Sequence, residues 1–158
     1  MRKSFLRVAV LKIKGINLSN YLYPATVESN NEGGFIARFR DVPEAITEAW
    51  NLEELKKNAR DALISAIDFY IEGRKVFPAG SNVKSGDLAI ELPASVVAKV
   101  LLLNTMVQTN VRPIDLARKM KIKPQEVTRL ADIRHATKID TIQAALRVLG
   151  KELILELR

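Results

Sequence analysis

The chain has 158 residues, a length that fits one domain or two small ones. Apolar residues make up 47% and charged residues 27%, which is ordinary for a soluble globular protein. The absence of cysteine excludes a disulfide framework and a cysteine-ligated zinc finger, and it fits a reducing, cytoplasmic location.

The net charge of +7 is unevenly distributed along the chain. Residues 1–20 carry five bases and no acid, residues 21–91 carry eight bases and twelve acids, and residues 92–158 carry twelve bases and six acids. The basic end suits a phosphate backbone. The acidic middle suits either a basic partner or no more than a solvated surface, so we expect two surfaces with different partners.

Residues 1–20 are predicted to be a basic N-terminal extension. Their apolar centre is broken by Arg7 and Lys12, no small-residue cleavage site follows, and the segment is far too short for a membrane-spanning helix. We expect either a disordered basic arm or an added strand around Phe5–Ile13, and no membrane partner.

Residues 21–91 predict a small α/β domain that begins with an antiparallel sheet. Three β-rich stretches, Tyr23–Glu28, Phe35–Arg40 and Ala45–Trp50, are separated by turns, and the first turn carries two glycines. Such a short meander needs a helix against one face to bury its apolar side chains.

The helix that follows is expected to supply that cover. Asn51 can cap it, an apolar stripe runs along it, and Gly73 is a plausible residue for its left-handed end. Residues 74–87 lack periodicity and predict a loop or linker. Leu88–Leu92 is a candidate fourth strand that closes the domain.

Residues 92–158 predict an all-helical domain with a short terminal strand. Ala94–Thr109 has apolar residues on more than one side, which predicts a helix buried among other helices. Asp132–Lys138 is expected to be a loop and Thr141–Leu149 a last helix. A lone strand at Glu152–Leu157 should pair with a copy of itself in another subunit.

Between these elements, Ile114–Leu130 predicts two short helices joined by a tight turn, the layout of a helix-turn-helix. The apolar side chains of both helices fall on one face, which leaves Gln125, Thr128 and Arg129 pointing outward. A generic helical hairpin with a solvated basic face is the alternative.

Several of these motifs together resemble one family. Tyr23–Glu28, Glu32–Phe35, Asp41–Thr47 and Leu92–Val96 resemble the N-terminal domain of HicB-type antitoxins. Arg134–Asp140 is similar to the members that carry a phage-repressor-type DNA-binding domain. The resemblance covers about residues 22–157.

The resemblance implies an α+β fold with two functions and no catalysis. The N-terminal domain, with a partial RNase H-like fold, would bind and neutralise a small basic HicA-type toxin that cleaves mRNA. The C-terminal helix-turn-helix domain would repress the chain's own operon as a homodimer or higher even oligomer on two-fold symmetric operator DNA. It implies no cofactor and no metal.

The phage-repressor layout also implies which residues meet DNA. Gln125 can pair with an adenine edge, Arg129 with guanine, and Thr128 with a base or a phosphate. The expected phosphate contacts are Arg118, Lys121, Lys123, Arg134, Thr137 and Lys138. Lys121 departs from the pattern, because that turn position is usually glycine.

The toxin-facing surface is less sharply predicted. The candidates share a turn, loop or strand-end position and are Glu32, Phe35, Asp41, Glu44 and Trp50. Packing of Trp50 in the core is an equal alternative.

Two other functions remain open at this point. A ligand-sensing transcriptional regulator without a toxin partner is the main alternative. A residual nuclease would use Glu54, Asp61 and Asp68, which fall seven apart on one helix face, but a solvated face or a toxin surface is favoured for this row. His135, the only histidine, lacks the partners that catalysis or a metal would need.

Overall fold

The computed structural model describes residues 10–13 and 21–156, which contain six strands and five helices. In chain order they are β1 (Val10–Ile13), β2 (Leu22–Ser29), β3 (Phe35–Phe39), β4 (Ile46–Ala49), α1 (Leu52–Glu72), β5 (Leu88–Glu91), α2 (Ala94–Gln108), α3 (Pro113–Met120), α4 (Pro124–Ala131), α5 (Ile139–Val148) and β6 (Leu153–Glu156). The predicted α+β class is confirmed; the likeness to an RNase H-like fold stays a prediction. None of the helices in these residues is both long and apolar enough to cross a membrane.

The N-terminal part is a four-stranded antiparallel sheet in the order β4-β3-β2-β5, with α1 packed against one face. Side chains alternate along each strand, so Tyr23, Ala37 and Ile90 are buried while Thr26 and Arg38 are exposed on the other face. The buried stripe of α1 faces the sheet and consists of Leu55, Ala59, Leu63, Ala66 and Ile67.

The sequence predicts the N-terminal cap of α1 correctly but not its C-terminal end. The Asn51 side chain accepts a hydrogen bond from the Glu54 N–H at 2.9 Å, as expected. The prediction for Gly73 is wrong, because its φ is −75° and the left-handed residue is Arg74, with φ 49°. The Gly73 N–H still bonds to the Phe69 carbonyl, so the chain turns one residue later than predicted.

Residues 74–87 form neither helix nor strand, but side chains anchor them at several points. The Tyr23 hydroxyl donates to the Pro78 carbonyl at 2.8 Å. The Asn104 amide both accepts from the Phe77 N–H (2.8 Å) and donates to the Phe77 carbonyl (2.9 Å), while the Phe77 ring is buried. The segment therefore fastens the end of α1 to α2, which a flexible linker would not do.

The C-terminal helices are built around α2. Ten of its fifteen residues are buried, which explains why its apolar residues lie on every side. Helices α4 and α5 both contact α2, and α3 packs on α4 and α5.

Strand β6 pairs with β1 of the same chain, so the prediction that it pairs with its own copy is wrong for this structure. The register runs antiparallel from Val10 opposite Glu156 to Ile13 opposite Leu153. The basic N-terminal segment supplies the missing neighbour, and an added strand is present at Val10–Ile13. The rest of the predicted strand, residues 5–9, lies outside the described residues.

The turn between α3 and α4 carries the strain that its sequence suggests. Lys121 ends α3 in the left-handed conformation, with φ 56° and ψ 41°. A side chain in this region costs about 1–2 kcal/mol, and glycine removes that cost while losing about 0.5–1 kcal/mol of backbone entropy.

We therefore expect Lys121→Gly to raise the free energy of unfolding by about 0.5–1 kcal/mol. Urea denaturation followed by circular dichroism measures this. The control is Lys57→Gly, at an exposed position in α1, which should lower the stability by a similar amount. Equal destabilisation by both variants would contradict the claim that Lys121 is strained in this turn.

Candidate functional site

Helices α3 and α4 form a short, closely packed pair. Leu116 and Ala117 of α3 and Val127 and Leu130 of α4 are each no more than 2% exposed. In the turn between the helices, the Ile122 N–H donates to the Ala117 carbonyl at 3.1 Å. The turn therefore holds the second helix at a fixed angle to the first.

The outward side of α4 carries the three residues that the sequence predicts for base contacts. Gln125, Thr128 and Arg129 are exposed and, at spacings of three and four residues, share one face of the helix. The Thr128 hydroxyl donates to the Pro124 carbonyl at 3.2 Å, within its own helix. The side chains of Gln125 and Arg129 make no hydrogen bond or ion pair with any other described residue, so their donors face solvent.

Among the predicted phosphate contacts, the exposed Lys121 and Lys123 lie in the turn before α4. Arg118 is also exposed, and its Nη1 lies 3.5 Å from Oδ1 of Asp115. The same carboxylate accepts a hydrogen bond from Nε of Arg112 at 3.1 Å, which with the neighbouring charges lowers the pKa of Asp115. Lys121, Lys123 and Arg118 therefore gather at the junction of α3 and α4.

The predicted contacts in the loop after α4 are more dispersed. The Arg134 guanidinium forms an ion pair with Asp68 of α1 and lies 3.5 Å from the Ser65 hydroxyl, and the hydrogen-bonded Asp68 carboxylate raises the pKa of Arg134. Thr137 donates to the His135 carbonyl at 3.4 Å, and Lys138 is exposed just before α5. The Arg134 guanidinium is therefore engaged with α1, although its side chain remains 57% exposed.

Lys99 is a residue that the sequence reasoning missed. It lies on α2, is 2% exposed, and points its ammonium at the carboxyl end of α4. There it donates to the carbonyls of Arg129, at 3.5 Å, and of Asp132 and His135. The available signal was one lysine within the apolar run Val96–Leu103, because lysine is rarely fully buried.

The electrostatics of Lys99 explain how a cation is tolerated there. Burial lowers its pKa, and the Asp132 carboxylate acts in the opposite direction. An ammonium has three donors, and three carbonyls accept them, so the charged form is fully hydrogen-bonded. These carbonyls include the end of α4, where the helix dipole favours a cation. Lys99 is thus a positioning residue for α4 and the loop that follows.

The structure divides the predicted toxin-binding residues into two groups. Ala49 pairs with Phe35 across β3 and β4, so Trp50 lies at the same end of the sheet as Glu32 and Phe35. Asp41 and Glu44 lie in the opposite turn, between β3 and β4. The five candidates therefore lie at two opposite ends of the sheet.

The second group, Asp41 and Glu44, forms hydrogen bonds within the chain. The Asp41 carboxylate accepts hydrogen bonds from the Ser81 N–H at 2.8 Å and the Ser81 hydroxyl at 3.0 Å. Glu44 accepts from the Tyr70 hydroxyl at 3.0 Å, and burial with this bond raises the pKa of Tyr70. Both acids have structural roles that the sequence pattern did not reveal.

The first group, Glu32, Phe35 and Trp50, includes an exposed aromatic residue. Trp50 is 65% exposed, so its alternative assignment to the core is wrong. Leu52, two residues further along the chain, is 49% exposed. Ile46 is equally exposed but lies at the other end of β4, opposite Arg38. Phe35 is partly buried against the core, and Glu32 is exposed at the hairpin tip. Apolar surface rimmed by acids is typical of a protein-binding patch.

The carboxylate row on α1 does not converge on a metal site. Glu54 and Asp61 are exposed, and Asp68 is bound to Arg134. Within the described ranges, no three side chains of His, Cys, Asp or Glu gather closely enough to hold a metal ion.

Comparison with known proteins connects this geometry to one family. The family described as "HicB_like antitoxin of bacterial toxin-antitoxin system" matches residues 22–101, which hold the sheet, α1 and the first half of α2. Antitoxin HicB of Escherichia coli (strain K12) is 45% identical over 133 residues, which are 84% of this chain and 96% of that protein.

Two proteins of Photorhabdus laumondii subsp. laumondii are similarly related. Antitoxin HicB 2 is 46% identical over 134 residues, 85% of this chain and 94% of the relative. Antitoxin HicB 1 is 41% identical over 140 residues, 89% of each. Because these relatives span more than the N-terminal sheet, the likeness extends into the C-terminal helices.

The role of Lys99 can be tested by removing its ammonium. Lys99→Met keeps the apolar stem but leaves three carbonyls at the end of α4 without their donor. We expect the free energy of unfolding to fall by about 3 kcal/mol, which lowers the melting temperature by roughly 6–12 °C. Amide hydrogen exchange should accelerate most in α4 and the loop to Lys138.

Lys119→Met, at an exposed position on α3, is the matched control and should leave the melting temperature within about 2 °C. If Lys99→Met is as stable as this control, the buried ammonium does not hold α4 in place.

Proposed function

The chain belongs to the HicB-like family of bacterial toxin–antitoxin antitoxins, and from that premise we propose that it binds and neutralises a HicA-type toxin that cleaves mRNA. Family membership is the observation that carries this proposal. The antitoxin relatives point to a regulatory rather than a catalytic role. Inhibition then requires a surface that covers the toxin, and no chemistry by the chain itself.

We place the toxin on the hairpin end of the sheet, where Glu32, Trp50 and Leu52 are exposed. A large exposed aromatic ring is the residue type that most often anchors a protein interface. The outer sheet face adjoins this end and carries Glu28 opposite Ile36, and Ile36 opposite Glu48. Acidic and apolar side chains therefore alternate across it.

The charge of this part of the chain supports a basic partner. Residues 21–91 carry four more acids than bases, whereas both flanking segments are basic. A toxin that binds RNA is itself expected to be basic, so opposite charges would speed the encounter and favour the correct partner. Asp41 and Glu44 contribute only to this overall charge, because their carboxylates already bind Ser81 and Tyr70.

For the second function, we propose that α4 enters the major groove of the chain's own operator DNA and represses its operon. Gln125 and Arg129 are the base-reading residues, since both are exposed and suited to bidentate contacts with adenine and guanine. Thr128 adds a weaker contact. Lys121, Lys123 and Arg118 bind phosphates, and Thr137 and Lys138 in the loop after α4 add further phosphate contacts.

A repressor of this kind works as a symmetric assembly in the cytoplasm, where its toxin and its DNA are both found. A homodimer, or a higher even oligomer, would present two copies of α4 to two half-sites one helical turn apart. Exposed apolar residues on α5, Ile139 and Val148, are available for that contact.

Trp50→Ala tests the toxin surface. We expect the dissociation constant for the purified toxin to rise about 30-fold, the effect of removing a hot-spot aromatic side chain. Isothermal titration calorimetry measures it, and co-expression should no longer restore growth fully. The matched control is Phe69→Ala, which removes an equally exposed ring (69%) about 25 Å along α1. Equal effects of the two variants would place the toxin elsewhere.

The double variant Gln125→Ala and Arg129→Ala tests the DNA surface. We expect loss of specific binding to the upstream promoter duplex, measured by fluorescence anisotropy against a scrambled duplex, because each bidentate contact contributes about 1–3 kcal/mol. Toxin inhibition should be unchanged. Arg60→Ala removes an exposed arginine from α1 and serves as the charge control. Retained promoter specificity in the double variant would rule out α4 as the reader.

A further inference from the structure

A cavity of about 290 Å³ lies between the C-terminal half of α1 and α2, open to solvent on one side. It is separate from the outer sheet face and from the outward side of α4. Its walls are apolar and are formed by Ile67, Tyr70, Phe77, Val100, Leu103 and Val107.

The interior of the cavity offers almost no hydrogen-bonding partner. In its wall, the Asn104 amide is used on the Phe77 backbone, and the Tyr70 hydroxyl donates to Glu44. The rings of Tyr70 and Phe77 stand edge to face with centroids 5.2 Å apart, which completes a rigid aromatic wall. Apolar cavities of about 150 Å³ already bind small hydrocarbons, so this one suits an apolar chain rather than ordered water.

The mouth of the cavity is cationic. Arg74 and Lys75, just after α1, and Arg112, just before α3, line it. Arg74 donates to the Asn110 side chain at 3.2 Å, a neutral partner that leaves its charge uncompensated. Arg112 shares the Asp115 carboxylate with Arg118. The lining thus contains three cations and no carboxylate, while Asp115 binds Arg112 and Glu44 binds the Tyr70 hydroxyl outside it. The residues that line the cavity therefore carry positive charge.

We propose that this cavity binds a linear apolar molecule with a single terminal carboxylate, of the medium-chain fatty acid class. The apolar tail fills the space between α1 and α2, and the carboxylate pairs with Arg74 and Lys75 at the mouth. The site also touches Pro113, the first residue of α3, and Ala131, the last of α4. A bound fatty acid would therefore contact both the proposed toxin-binding part and the helices of the proposed DNA reader.

Decanoate, titrated into the full-length chain by isothermal titration calorimetry, tests the proposal. We expect saturable binding of one decanoate per chain, and a melting temperature that rises with decanoate concentration. Absence of binding overturns the proposal, whether the cavity is closed in solution, occupied by another segment of the chain, or covered by a second copy.

Two sets of variants locate the ligand. Val107→Phe fills the cavity and should abolish binding, while its unchanged circular dichroism spectrum shows that the chain still folds. Arg74→Gln with Lys75→Gln should weaken decanoate binding at least tenfold but leave the neutral analogue 1-decanol unaffected. Lys57→Gln, an exposed position on α1 remote from the mouth, is the charge control and should bind both compounds normally.

Binding that persists in Val107→Phe would show that decanoate binds elsewhere on the surface. Equal losses in the mouth variant and in Lys57→Gln would show general charge attraction rather than a carboxylate site. Either result overturns the assignment. These measurements need neither toxin nor DNA, so their outcome is independent of the proposed antitoxin and repressor functions.

Discussion

A buried ammonium, that of Lys99, holds the end of α4 and the loop after it against α2. Removing a charge from water is costly, and here three carbonyls and the negative end of a helix dipole offset that cost. The same α2 is fastened to the end of α1 through Asn104 and Phe77. The orientation of α4, which carries Gln125 and Arg129, is therefore fixed by α2, and α2 is also the helix joined to the N-terminal part.

The elements of the fold could be predicted from local pattern because each pattern has a local cause. Alternation predicted the strands, the Asn51 cap the start of α1, and an apolar surface on every side the burial of α2. Apart from the left-handed residue after α1, which is Arg74 and not Gly73, the misses are interactions between distant segments, which no periodicity encodes. Nothing near Asp41 in the chain indicates Ser81, and nothing near Arg134 indicates Asp68. The same limit applies to β6, whose partner β1 lies at the other end of the chain.

The proposed sites likewise combine features that have a local cause with features that depend on distant segments. Exposure of Gln125 and Arg129 follows from the burial of Val127 and Leu130 on the same short helix, so the sequence predicted that exposure. The toxin surface depends on strand register, which brings Trp50 to the hairpin end beside Phe35 and sends Asp41 and Glu44 to the other. The Asp68–Arg134 ion pair crosses from α1 to the loop after α4, and it engages a predicted phosphate contact with the N-terminal part.

The central claim is that toxin and DNA use different surfaces of one chain. It is tested most directly by fluorescence anisotropy of a labelled promoter duplex, titrated with the purified chain–toxin complex and then with excess toxin. We expect the complex to bind the duplex and excess toxin not to release it, because α4 and the hairpin end of the sheet share no residue. Stoichiometric release of the duplex by toxin would show that the two partners compete for one surface, and would contradict the account.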